Sequence, residues 1–284
     1  MASKSKIYIK NISSVYQYQL KKPHKLLSIF GEYHNKKIEC GEDKHTISLS
    51  EFIIETVKHN KNTKVILEYN AGIHYKSILE IINSDNIREI IKALDDNKVI
   101  NKILPVDCRD YYLGVHYNRE LYNNPKMNKS FCYINTHYIN KFLLSRIYIN
   151  KNVNKNLVCI LEDYLQEVKD TFLYLKDNWT IIKPPTGYNY NVPYNIVLLR
   201  DIWSKVVDYY ILEQLFIIDD TTEYICLIGE THRVNLQKFL SKAFKITTKY
   251  QIANDDDCIC VNKLLNGTYP MKLLVSSFED IKVL

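Results

Sequence analysis

Leu26-Leu27-Ser28-Ile29-Phe30-Gly31-Glu32-Tyr33-His34 and, late in the chain, Ile225-Cys226-Leu227-Ile228-Gly229-Glu230-Thr231-His232 share one form. Each is a short apolar run that stops at Gly-Glu-x-His. A compact apolar run bounded by a glycine reads as a buried strand. A carboxylate and an imidazole two residues apart can act as an acid–base pair or as metal ligands. The same pair after two separate strands predicts a site assembled from both halves of the chain.

Other runs extend this pattern outward. Residues 64–69 (Lys-Val-Ile-Leu-Glu-Tyr) and residues 102–106 read as two more buried strands, and the alternating residues 5–12 as a short one. Ser48 or Ser50 is placed to cap a helix that runs to about His59. Residues 75–94 have helical period, with a break at residues 83–86. Strands alternating with helices predict an α/β fold, a mainly parallel mixed sheet flanked by helices. Residues 111–220 differ. Residues 157–175 and 193–216 carry apolar side chains at helical spacing, separated by the break Lys183-Pro184-Pro185-Thr186-Gly187-Tyr188. They predict a helical insertion or cap between the third and fourth core strands of a single domain spanning residues 1–284. The α/β pattern returns with residues 223–228, a helix over about residues 234–244, and strands at 245–250, 258–261 and 273–276.

Composition excludes several classes. No run of eighteen apolar residues exists, so no membrane span is expected. The first six residues lack the apolar stretch of a secretory signal, so a cytoplasmic protein is expected. The seven cysteines follow no framework spacing, and Cys258-Ile259-Cys260 is too tight for a zinc half-site, which predicts reduced thiols and no structural zinc. The net charge of +6 is modest and spread along the chain, as on a solvated surface. Abundant Tyr, Asn, Ile and Lys with only 7 Gly resembles usage in AT-rich genomes, those of large DNA viruses among them.

Four apolar runs end in polar pairs: Glu32-x-His34, Glu68-x-Asn70, Asp107-x-Arg109 and Glu230-x-His232. In extended backbone, residues i and i+2 point to one face, so each pair can aim both side chains together. Open α/β sheets bind ligands beyond the carboxyl ends of their parallel strands. Convergence there suits hydrolysis. A neutral His takes a proton from water while a carboxylate fixes its tautomer. Alternatively, two His and one or two carboxylates hold a divalent cation (Zn, Mn or Co) that acidifies a bound water. Arg109 or Arg233 can stabilise an oxyanion or hold an anionic substrate. No Ser-centred nucleophile elbow, Walker loop, dinucleotide fingerprint or His-Glu-x-x-His helix is present.

At these residues the chain resembles the superfamily of TraB/PrgY pheromone-shutdown proteins, Tiki proteases, erythromycin esterases and ChaN lipoproteins. The matching features are a Gly-x-x-His after an early strand (Gly31, His34), an acidic residue after the next (Glu68), and a late second Gly-x-x-His (Gly229, His232). The resemblance implies a mixed sheet flanked by helices, with a helical segment between the motifs. The Tiki branch resembles metal-dependent peptidases, and the esterase branch uses its first-motif His as general base on water. By that likeness His34 is the leading base or ligand. Glu32, Glu68, His232, Glu230 and Arg109 complete the candidate catalytic set. Asn70, Asp107 and Arg233 are the candidates for holding substrate, and His34, Glu68 and His232 for holding a metal.

Two readings of function follow. One is a hydrolase acting on a small-molecule ester or a peptide. The other is a non-catalytic binding module on the same fold, for nucleotide or nucleic acid, or for a host protein. The basic balance and stretches such as Tyr111-Tyr112 and Tyr188-Asn189-Tyr190 suit base stacking and phosphate contact. Nucleic acid is the less favoured partner, because tyrosines at such positions commonly serve packing.

Overall fold

Three parallel strands form the centre of the protein: β3 (His24–Glu32), β7 (Glu223–Gly229) and β5 (Thr63–Asn70). In the computed structural model, which describes residues 7–9, 12–21, 24–32, 45–70, 74–81, 84–107, 152–178, 183, 186, 194–251 and 259–260, they belong to a six-stranded sheet. Its order is β6-β5-β7-β3-β2-β8, with β6 at Ile103–Asp107, β2 at Ser14–Lys21 and β8 at Lys245–Gln251. β2 runs antiparallel to both β3 and β8, so of β5, β7, β3, β2 and β8 only β2 is reversed. The sheet is therefore mixed and mostly parallel, an α/β arrangement. A separate small sheet joins β1 (Ile7–Ile9) to β4 (His45–Ile47) in parallel and to β9 (Ile259–Cys260) in antiparallel order.

The strands are buried on both faces, which is why their sequences read as continuous apolar runs. Phe30, Leu67 and Leu227 lie at one level of the register, with Val65, Tyr69 and Ile225 beside them. All belong to a single core with Phe52, Ile53 and Val57 of α1 (Leu49–His59) and Ile87, Ile90, Ile91 and Leu94 of α3 (Asp85–Asp96). Ser48 caps α1 in a capping box with Glu51. The break in residues 75–94 separates α2 (Tyr75–Ile81) from α3. On the opposite face, α6 (Glu230–Ala243) follows β7 directly and packs on β3 and β7 through its buried Leu236, Phe239 and Leu240.

Two long helices, α4 (Val158–Asn178) and α5 (Tyr194–Phe216), lie in the chain between β6 and β7 and pack on each other. Between them, the Tyr164 hydroxyl donates to the fully buried Asp208 at 3.0 Å, and Lys205 meets Glu167 at 2.6 Å. Chain contacts divide the protein into two compact units: residues 1–69, 73–105 and 219–284, and residues 70–72 and 106–218. Among the described residues, no helix is long and apolar enough to cross a membrane. The strand expected at 273–276 lies outside the described residues, as do Tyr111-Tyr112 and Tyr188-Asn189-Tyr190.

At the amino end of the parallel strands, Asp219 accepts hydrogen bonds from Lys25 at 2.9 Å and Lys64 at 2.6 Å. Lys25 is itself buried and stands 5.1 Å from the Tyr224 ring centre. Burial opposes ionisation of Asp219, but the bonds from Lys64 and Lys25 outweigh it and hold the carboxyl well below the usual carboxylate range. A carboxyl acidified by folding stabilises fully above its unfolded value and loses that effect as pH falls towards its folded one. Asp219→Asn is expected to lower stability by about 2 kcal/mol at pH 7, the scale of hydrogen bonds to a charged group. In urea titrations, its gap from wild type should narrow as pH drops below about 4. A gap independent of pH would show that the carboxylate charge does not matter.

Candidate active site at the carboxyl edge

The second tetrad departs from its expected geometry. Residues 230–243 are helical, so Glu230 and His232 sit in the first turn of α6 rather than in extended backbone. A helix turns by about 100° per residue, so positions i and i+2 point about 200° apart instead of sharing a face. The two side chains accordingly reach to opposite sides of β7. The helix starts four residues earlier than the apolar period suggests, and its N-cap, Gly229, has no side chain to mark that start in the sequence. Its cap is instead tertiary: the Gly229 N–H donates to Glu68 Oε2 at 2.8 Å.

His232 reaches towards β5. Its Nε2 lies 3.1 Å from Glu68 Oε1, and both side chains are almost wholly enclosed, at 7% and 8% exposure. A carboxylate accepts only, so Nε2 carries the proton in this contact, and a neutral ring then has its lone pair on Nδ1. Glu68 is thus held at one oxygen by a backbone donor and presents the other to an imidazole. That is the arrangement by which a carboxylate orients a general base.

Glu230 reaches the other way. Its Oε1 accepts from Arg233 Nε at 2.8 Å and lies 2.6 Å from Nη2, while its Oε2 accepts from Ser14 Oγ at 2.7 Å and Ser13 Oγ at 3.4 Å. Arg233 also donates to Gln237 at 2.7 Å and lies 4.2 Å from the ring centre of Tyr16. Its guanidinium is buried, paired with Glu230 of its own helix, and meets the sheet at Tyr16. Gly31 makes the approach possible, since a Cβ there would come within 2.1 Å of Glu230 Oε2 and 2.5 Å of Ser14 Oγ. The glycine of the first tetrad therefore makes room for the glutamate of the second.

Glu32 belongs to the opposite face. Gly31 is level with Ile228, and Glu32 with Gly229, so Glu32 shares the face of Phe30 and of the α1–α3 core. Its buried carboxylate accepts from Ser84 Oγ at 2.9 Å and Asn86 Nδ2 at 2.8 Å, at the N-terminus of α3. Ser84 also caps α3, accepting from the Ile87 N–H at 3.2 Å. Strand alternation thus separates Glu32 from Glu68, which faces α6. The expected convergence of carboxylates from every strand end does not occur among these residues.

Asn70 is the last residue of β5 and Asp107 the last of β6, where Asp107 is half-buried. His34 and Arg109 lie outside the described residues. The 3.1 Å separation of His232 Nε2 and Glu68 Oε1 suits a hydrogen bond. Among the described residues no group of three His, Cys, Asp or Glu gathers that could hold a metal, whereas catalytic zinc takes about three protein ligands. The described donors alone therefore do not make up a metal site. Cys226, on β7, is fully buried, and burial pushes its thiol up, which makes it inert as a nucleophile.

Sequence reasoning had not singled out Ser13, Ser14, Ser84 or Asn86 as partners of the motif carboxylates. Ser84, just before a helical period, carries an N-cap signal that would have located its helix. Ser13 and Ser14 carry no such mark, because what selects them is the antiparallel pairing of β2 with β3, which sets Ser14 opposite Gly31. No family model, curated protein or solved structure matches this chain.

The crowding at Gly31 is measurable. Gly31→Ala is expected to cost about 2 kcal/mol, because the methyl displaces a carboxylate held by charged and hydroxyl donors. Combined with Glu230→Ala, the loss in urea denaturation should be less than the sum of the single losses, since the methyl then occupies vacated space. Strict additivity would mean that the two positions do not meet.

Proposed function

We propose that this protein is a hydrolase of the Tiki, TraB and erythromycin-esterase type, acting in the cytoplasm on an ester or peptide bond. The observation that carries the reading is the enclosed Glu68–His232 contact at the carboxyl edge of parallel strands, with the second Glu68 oxygen fixed by the Gly229 N–H. In this reading the neutral His232 ring accepts a proton from water at Nδ1 as the water oxygen bonds to the substrate carbonyl carbon. The ring then returns that proton to the departing alkoxide or amine. Glu68 keeps the ring in the required tautomer and stabilises the imidazolium that forms between the two steps. By the family resemblance, His34 is the candidate for a second imidazole and Arg109 for a donor to the developing oxyanion. Helices α4 and α5, in the chain between β6 and β7, belong in this reading to the helical insertion or cap expected over residues 111–220. A non-catalytic binding module is the second reading. It is favoured by the engagement of Glu32, Glu230 and Arg233 in contacts that hold helices to the sheet.

Purified protein is expected to turn over at least one member of a panel of aryl esters and short peptides. His232→Ala and Glu68→Ala should each lower kcat/KM by about 100-fold or more, the usual contribution of a positioned base. Glu68→Gln should fall between them and wild type. Activity removed by a chelator and restored by zinc, manganese or cobalt would assign a metal held by His34, Glu68 and His232. Folded protein that turns over nothing on the panel, with or without these metals, would overturn the hydrolase reading. Salt-sensitive binding of single-stranded nucleic acid by that protein would favour the binding module instead.

A further inference from the structure

We infer that Glu230 is a positioning residue for His232, and that Ser14 and the bare Cα of Gly31 complete the device; the catalytic consequence rests on the reading of His232 as a base. Helix α6 begins on the residue after β7, with Gly229 as its cap and no loop to absorb misalignment. The strand order β5-β7-β3-β2 puts β5 on one side of β7 and β3 with β2 on the other. Glu230 and His232 point about 200° apart around the helix, which sends one to each side.

The first turn is therefore gripped twice. Glu230 is bonded to Ser14 of β2 in the hollow above Gly31 of β3. On the far side, His232 Nε2 and the Gly229 N–H are both bonded to the Glu68 carboxylate of β5. These contacts lie on opposite sides of the helix axis, so together they set the rotation of α6 about that axis. Arg233, one turn along from Glu230, stiffens the near side by gripping the same carboxylate while lying over Tyr16. Releasing Glu230 removes the hydrogen-bonded grip on the β2 side, leaving only apolar packing and Arg233 over Tyr16 to oppose rotation there. It can then roll, and the roll carries the imidazole off its line with Glu68 Oε1. Catalysis is sensitive to displacements of about 1 Å, which can cost about 100-fold in rate.

The test reads the ring directly as well as turnover. Histidine labelled with 15N in the ring reports by NMR which nitrogen of His232 carries the proton, and His232→Gln identifies the signal among the 8 histidines. Wild type is expected to hold the proton on Nε2. Glu230→Ala should give a mixture of tautomers, with kcat lower by about 100-fold and KM within about two-fold of wild type. Ser14→Ala keeps the Glu230–Arg233 pair and should shift both readouts in the same direction by less. It decides the matter if Glu230→Ala does not fold. Asp219→Asn, which weakens the opposite edge of the sheet, should leave ring signal and kcat unchanged. The inference is overturned if folded Glu230→Ala keeps the wild-type tautomer, if Ser14→Ala, used in its place, moves neither readout, or if Asp219→Asn shifts the ring equally. Absence of turnover in wild type would count against the hydrolase reading alone, because the tautomer still answers whether Glu230 sets the ring.

Discussion

The space above the α-carbon of Gly31 is the constraint on which the carboxyl edge of the sheet depends. A side chain there would meet the Glu230 carboxylate at a distance no Cβ tolerates. Because it is absent, the first turn of α6 settles onto β2 and β3, and the Glu230–Arg233 pair is enclosed between helix and sheet. Taking two charges out of water is costly unless their remaining bonding capacity is met. Here Ser14 and Gln237 each accept or supply a further hydrogen bond, which keeps the burial tolerable. The seating of His232 against Glu68 then follows from the same turn of helix.

The two edges of the sheet have different characters. At the amino edge, Lys25, Lys64 and Asp219 tie the starts of β3 and β5 to the segment before β7, with Tyr224 alongside. At the carboxyl edge, three carboxylates meet a helix N-terminus or its first turn: Glu32 at α3, Glu68 and Glu230 at α6. Helix N-termini attract negative charge, which explains why acidic residues recur there. The recurrence that first suggested a single constellation is thus in part the repeated solution of one local problem, how to seat a helix where a strand ends. What is left beyond that solution is the contact between Glu68 and His232.

Much of the fold was legible because the parallel strands are buried on both faces and announce themselves as apolar runs. The runs at 25–30, 64–69, 102–106 and 223–228 each mark a strand to within two residues. β2 escaped because it has no such run. It alternates Val15 and Gln17 with Tyr16 and Tyr18, and its buried Gln17 donates to Ser28 across the strand pair. The start of α6 escaped for a related reason, since its cap is a glutamate on another strand rather than a neighbour in sequence. In the site, the residue types were legible but their directions were not. Strand alternation separates Glu32 from Glu68, and helical rotation separates Glu230 from His232, and both depend on backbone states that Gly-Glu-x-His does not specify by itself.

Identical letters therefore carry unlike obligations in the two tetrads. Gly31 is a hollow that only a residue without a side chain can leave open. Gly229 is a helix cap, a kind of position that serine, asparagine and aspartate commonly fill. Glu32 anchors a helix that arrives from elsewhere in the chain, whereas Glu230 anchors the helix it belongs to. Over evolutionary time the two copies would drift along separate paths, the second glycine sooner than the first. A descendant could then lose every visible trace of the repeated word while keeping the architecture that the word describes.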